Sequence, residues 1–174
     1  DKGHIDACER FGVRIGTNLD VKIHGMRTRL LDQHGFGSRR ATAQFLKWVD
    51  SYAPDIIHLH NLHGYYINIE LLFRYIKEKN IPVVWTLHDC WAMTGHCTHF
   101  IACGCSKWKT GCDHCSQKHE YPASNFLDGS EENYRRKKNV FTGVSKLTIT
   151  TPSEWLKSIV KQSYLQEYEV QVIN

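Results

Sequence analysis

No stretch of this 174-residue chain approaches the ~20 consecutive apolar residues that a membrane-spanning helix needs. The N-terminus, Asp1-Lys2-Gly3-His4, has no apolar signal-peptide core and no initiator methionine, so the chain is expected to be a piece of something longer. There is no Walker loop, no GxSxG elbow and no GxGxxG fingerprint, which removes the common phosphate-cradling and serine-nucleophile motifs from consideration. Internal repeats and low-complexity tracts are missing too. So is the basic stripe with interleaved aromatics that marks a nucleic-acid binder. Lys and Arg total 22 against 18 Asp and Glu, a formal charge of +4. That balance is too mild to argue for nucleic acid, although it suits an anionic substrate or membrane surface.

What is present describes a soluble globular domain. Hydrophobic residues make up 41% and charged residues 23%, enough apolar material for one core with room for an inserted subdomain. Histidine is abundant, at 11 residues, and six of the seven cysteines lie between Cys90 and Cys115. With no secretion signal, such a cluster reads as metal-binding or reduced rather than as a disulfide framework.

Hydrophobic spacing yields an alternating pattern of strands and helices. A short strand is expected over Val21–His24. A helix follows over about 39–52, capped by Ser38, with Ala43, Phe45, Leu46 and Val49 on its apolar side. Asp55–His60 reads as a strand entered through Pro54, and residues 67–79 as a helix. Pro82–Leu87 is a nearly continuous apolar strand of the kind found inside parallel sheets. Regular patterning then disappears over about 89–124, a Cys-rich insert too long to be a structureless loop unless functional or cross-linked. Ser130 is expected to cap a helix whose Arg135-Arg136-Lys137-Lys138 run forms a solvated face. Leu147–Thr150 is a strand, Thr151–Glu154 a capping box opening a helix over about 152–163, and Val170–Ile173 a final strand. The fold class is α/β, an open and mostly parallel Rossmann-like sheet with right-handed crossovers.

In such sheets ligands bind beyond the carboxyl ends of the strands. Those ends carry His60-Asn61-Leu62-His63-Gly64, His88-Asp89 and Thr151-Pro152-Ser153. A neutral imidazole there can act as a base or a hydrogen-bond donor near pH 7. His58, inside its strand, is expected to be satisfied structurally, and Trp85, Trp91 and Trp108 to pack the core and the insert. The CxxC knuckle Cys112–Cys115 suggests a structural zinc site completed by Cys97 and Cys105, with Cys103, His96 or His99 as substitutes. The alternatives are reduced buried thiols or a reversible disulfide.

Five blocks in order, PDIIHLHNLHG (54–64), PVVWTLHDCW (82–91), TGHC (94–97), KWKTGCDHC (107–115) and TTPSEWLKSIV (150–160), resemble the N-terminal domain of bacterial GT-B glycosyltransferases of family 4, of the colanic-acid and exopolysaccharide type. The resemblance spans roughly residues 20–174. It implies a retaining transferase that moves sugar from a nucleotide-sugar donor to a glycan or lipid-linked acceptor. It also implies a cytoplasmic enzyme, with peripheral contact at the inner-membrane face. Residues 1–174 would form a truncated acceptor-side domain. A C-terminal domain carrying most of the donor site, and the Gly-rich first βα loop, would lie outside the chain, leaving it inactive alone. The TLH step puts His88 first among catalytic residues, followed by Asp89, with His60, Asn61, His63, Gly64, Thr151 and Ser153 binding substrate. The competing reading is a non-enzymatic, zinc-stabilised α/β module that binds a small ligand or partner.

Overall fold

The computed structural model describes residues 11–173. Its elements in chain order are α1 (Asn18–Leu31), α2 (Arg39–Tyr52), β1 (Ile57–Leu59), α3 (Ile69–Lys79), β2 (Val83–Thr86), α4 (Ser130–Phe141), β3 (Leu147–Thr151), α5 (Glu154–Val160) and β4 (Glu169–Val172). All three strand pairings are parallel, and the sheet runs β1-β2-β3-β4. The expected α/β class and parallel sheet are therefore the observed ones. Parallel neighbours require a crossover, and α3, the insert with α4, and α5 supply the three.

The core is a single apolar cluster at the centre of the sheet. Val83 and Trp85 of β2 are buried, as are Leu147 and Ile149 of β3. Phe141, at the end of α4, is fully buried with its ring edge-on to Phe73 and Trp85, both at 4.8 Å. Helices α2, α3 and α4 pack in succession, and α5 lies against β3 and β4. Trp85, Trp91 and Trp108 are all buried. The insert contains only two short 3₁₀ turns, Trp91–Met93 and Lys107–Lys109.

Four local expectations are corrected. Val21–His24 is not a strand but the middle of α1. A capping box starts that helix: Asp20 N donates to Thr17 Oγ1 at 3.2 Å, and Thr17 N donates to Asp20 Oδ2 at 2.7 Å. The buried residues of α1 are the polar His24 and Thr28, so its apolar residues gave a misleading signal. Caps also differ. Ser38 and Ser130 make no side-chain cap, because Ser38 Oγ instead meets His24 and the Tyr65 carbonyl, while Asp128 Oδ1 accepts from Ser130 N. Ser153, rather than Thr151, caps α5, its Oγ accepting from Leu156 N. On α2 the buried positions are Ala41, Thr42 and Val49, and Ala43 faces solvent.

The basic run on α4 is the fourth correction. Lys137 is buried, not solvated. Its Nζ donates to the carbonyls of Trp91 and Thr94 at 2.9 and 3.1 Å and lies 3.6 Å above the Trp91 ring. Arg136 is half-buried, stacked on Phe36 and paired with Glu70. Burial drives the Lys137 ammonium down to about 7, against the pull of Asp32 and the nearby thiols.

Phe141 is where α3, α4 and β2 meet. Phe141→Ala should lower unfolding free energy by about 3–5 kcal/mol, read as a shift of the urea midpoint at unchanged slope. A loss below about 1 kcal/mol would show that the site collapses around the deletion.

Candidate functional site

Strands β1 and β2 end side by side, with Leu59 level with Trp85, so the residues that follow emerge at one edge. There His60 Nδ1 lies 3.0 Å from His88 Nε2, and the two rings stack 20° from parallel at 5.3 Å. One nitrogen must donate and the other accept, so a single proton occupies the line between them. A second proton would place two cationic rings in contact. Accordingly His60 titrates below the ordinary histidine range, through burial and then the charges of His58 and His88. His58 is satisfied within the sheet. Its Nε2 meets Thr86 Oγ1 at 2.8 Å, and that hydroxyl meets Thr150 Oγ1 at 2.6 Å.

A second pair sits beside the first. His63 Nε2 lies 2.7 Å from Asp89 Oδ2, and Asp89 Oδ1 accepts from Trp91 N at 2.8 Å. Burial alone would raise the Asp89 carboxyl, but His63, the Trp91 N–H and the charge of His99 hold it below the ordinary carboxylate range. Asp89 is therefore an anion near neutral pH, fixed at both oxygens. His60, Asn61, His63, His88 and Asp89 share one small cleft floored by Leu62, Trp85, Leu87 and Trp91. The remaining expected residues do not line it. Gly64 follows His63, and a Cβ there would meet the Tyr66 ring at 2.7 Å. Thr151 is buried, donating to the Ser153 carbonyl, and Ser153 caps α5.

Sequence reasoning missed what lies behind the cleft. His34 is buried, with rings of His63, Tyr65, Trp91 and Tyr121 around it at 4.9–5.9 Å. Neither of its ring nitrogens has a hydrogen-bond partner among the described residues. Tyr121 closes this box, donating to the His63 carbonyl at 2.7 Å. Next to it, His24 Nε2 accepts from the backbone N–H groups of Gly35 and Gly37, both at 3.2 Å. A Cβ on Gly37 would sit 2.5 Å from the His24 ring, so glycine alone permits this approach. The available signal was the Asp32-Gln33-His34-Gly35-Phe36-Gly37 segment, a polar turn with two glycines and a histidine.

The cysteines are brought together without forming the expected zinc site. Cys97, Cys103, Cys105, Cys112 and Cys115 all line one cavity of about 360 Å³, with His96. Yet among the described residues no group of three or more His, Cys, Asp or Glu side chains is arranged to hold a metal ion. The tetrahedral set of Cys97, Cys105, Cys112 and Cys115 is therefore not supported. Interaction with Cys115, then burial, pushes the Cys97 thiol up, while Cys97, the Gln117 backbone and the charge of His96 draw Cys115 down to about 6. Burial pushes Cys112 up to about 11. His96 is fixed by Asp32, Nδ1 to Oδ1 at 2.6 Å, and its charged form is favoured by that carboxylate despite burial.

Residues 7–173 match Glycosyltransferase Family 4. Over 74 residues the chain is 42% identical to a protein named as a colanic acid biosynthesis glycosyl transferase, WcaC, of Escherichia coli (strain K12). That match covers 40% of this chain and 18% of the relative. No solved structure matches the chain.

The two histidines behind the cleft make stability depend on pH. Burial pushes His24 from 6.5 down to about 4 and His34 well below 6.5. The unfolded chain then binds more protons than the fold, so stability present above pH 6.5 is lost as pH falls toward 4. Urea midpoints measured across that window should decline, and His34→Phe should make the decline shallower. An unchanged slope in the variant would remove His34 from this account.

Proposed function

The chain belongs to Glycosyltransferase Family 4, and from that premise we propose that it forms the acceptor-side part of a retaining sugar transferase. The enzyme moves a sugar from a nucleotide-sugar donor to a glycan or lipid-linked acceptor in the synthesis of a cell-surface polysaccharide. The observation that carries this reading is the pairing of His60 with His88 and of His63 with Asp89 in one cleft at the carboxyl edge of a parallel sheet. Ligands of open α/β sheets bind at that edge. The name of the relative, a colanic acid biosynthesis glycosyl transferase, agrees in reaction class and in product type.

The residues divide the work by position. His88 is exposed at the tip of β2, where it can hydrogen-bond a hydroxyl of the transferred sugar. In sugar transfer, positive charge grows on the ring and negative charge on the departing phosphate. A bond that strengthens as the ring becomes oxocarbenium-like lowers the barrier, whereas one equally strong in the ground state does not. His60, sharing a proton with His88, sets which His88 nitrogen is free to accept or donate. Asp89, anionic and clamped by Trp91 N, holds His63 and gives the cleft a negative charge beside the developing cation. Asn61 offers an amide at the rim, suited to an acceptor hydroxyl. Leu62, Leu87 and Trp91 keep bulk water from the floor, which strengthens each of these interactions.

In the parent enzyme, His88→Ala should lower kcat by roughly 100-fold or more, the scale of a positioned polar or acid–base group. The thermal midpoint should not move, because His88 is exposed. Steady-state kinetics with matched melting curves decide the matter. Near-native kcat in His88→Ala, with loss in His60→Ala or His63→Ala, would transfer the role to the tip of β1.

A further inference from the structure

The His63 ring meets a polar group at each of its nitrogens. Nε2 faces Asp89 Oδ2 at 2.7 Å. An unprotonated nitrogen there would set a lone pair against a carboxylate, so a proton belongs on Nε2. The contact is short but not aligned as a hydrogen bond. It attracts the ring without fixing its angle, because alignment is what gives a hydrogen bond its direction. With the proton on Nε2, a neutral ring carries its lone pair on Nδ1. The group standing before Nδ1 is the Tyr121 hydroxyl, at 3.4 Å. The same hydroxyl donates to the His63 carbonyl at 2.7 Å. One phenol proton therefore lies between two acceptors of a single residue, close to the carbonyl and farther from the ring.

Tyr121 reaches this position from the Cys-rich insert, 58 residues further along the chain. Its ring lies edge-on to His34 at 5.7 Å, to His63 at 6.0 Å and to Tyr65 at 6.4 Å. Those three rings set where the hydroxyl falls. Tyr121 is nevertheless 47% exposed, so it is not a core residue. The turn that carries it is closed by other groups. Ser124 N donates to the Lys118 carbonyl at 2.7 Å, and Ser124 Oγ donates to the Leu127 carbonyl at 2.6 Å. The phenol hydroxyl is thus left to His63 rather than to the folding of its own segment.

We propose that Tyr121 is a positioning residue of the transfer site. Its hydroxyl holds the His63 ring with Nε2 toward Asp89, and through that contact it keeps the Asp89 carboxylate beside His63. Without the hydroxyl the ring turns more freely about its Cβ–Cγ bond, a torsion that is broad and two-fold for histidine. Asp89 then loses its partner in a fraction of the molecules, and the negative charge beside the reacting sugar is no longer fixed in place. The effect on rate rests on the transferase reading. The effect on the ring rests on the geometry alone.

Two measurements test this, one of them without sugar transfer. The first uses protein with isotopically labelled histidine nitrogens, the His63 signals being assigned from His63→Gln. Nuclear magnetic resonance should show a proton on Nε2 of His63 in the wild type. Tyr121→Phe keeps the ring and removes the hydroxyl, and it should move both nitrogen signals toward the average of the two tautomers. The second measurement is steady-state kinetics of the parent enzyme. Displacing a reacting group by about 1 Å costs roughly 100-fold, so loosening a group that orients one should lower kcat about ten-fold. Donor KM should change less than about two-fold, because the loss is in the transition state. Tyr121→Leu, which also removes the packing, should lower kcat at least as far. The proposal is overturned by a wild-type His63 with its proton on Nδ1 alone, or by nitrogen signals that stay in place in Tyr121→Phe. It is also overturned by native kcat in Tyr121→Phe, whatever Tyr121→Leu does, or by a loss expressed in KM alone. A parent enzyme that transfers no sugar would end the transferase reading, and the nitrogen signals would still decide the placing of His63.

Discussion

The cleft depends on one buried contact, the Lys137 ammonium against Trp91. The insert between β2 and α4 has no ladder of its own, so each of its backbone groups must find a partner elsewhere. Lys137 reaches from α4 to take the carbonyls of Trp91 and Thr94, and it caps the indole face with its charge. The same indole packs against Phe141 of the core and against His34 and His63. Its backbone N–H fixes Asp89. Core, insert and strand-end polar groups are thus joined at a single residue. A buried ammonium is an expensive way to do this, and burial lowers its affinity for the proton accordingly. Two carbonyls and a ring offset much of that cost.

The rest of the insert is anchored by the same device, a polar side chain from outside the insert taking an orphan backbone group. Tyr164 donates to the Ala92 carbonyl, and Tyr134 to that of Trp108 at 3.1 Å. Asp32, at the end of α1, binds His96 with one oxygen and the Gly129 N–H with the other, at 2.6 and 2.9 Å. Gly95 passes so close to α4 that a Cβ would lie 2.0 Å from the Ser130 carbonyl oxygen. These anchors tie to the rest of the fold an insert whose regular structure is two short 3₁₀ turns.

Such anchoring also explains what the sequence could and could not reveal. β2 was legible because Val83-Val84-Trp85 is apolar on both faces; Val83 and Trp85 are buried and Val84 is half-buried on the other side. α3 was legible from Ile69, Leu72, Phe73 and Ile76, all buried at helical spacing. The strand-end histidines followed from topology, since parallel strands aim their carboxyl ends at one edge. Lys137 was not legible: a lysine in a basic run is solvated unless carbonyls several dozen residues away are waiting for it. α1 was misread for a related reason. Its hydrophobic spacing is correct for a helix, but the stripe points outward, and short apolar stretches do not distinguish helix from strand by period alone. The cysteines show the limit of spacing arguments. A CxxC predicts proximity, and proximity is found, but the protonation pattern among Cys97, Cys112 and Cys115 follows from burial and donors that no spacing encodes.

The proton count in the cleft ties the two histidine pairs together. His60 and His88 can hold one proton between them comfortably and a second only against mutual repulsion. His63 faces the Asp89 carboxylate instead of a second imidazole. A neutral imidazole can present either a donor or an acceptor to a sugar hydroxyl, whereas an imidazolium can only donate and would repel the cationic ring of the transition state. Asp89 follows His88 directly but is turned toward His63, its other oxygen held by the Trp91 N–H. Trp91 thus reaches past packing into the site: the residue that locks the insert to the core also orients the carboxylate that pairs with His63.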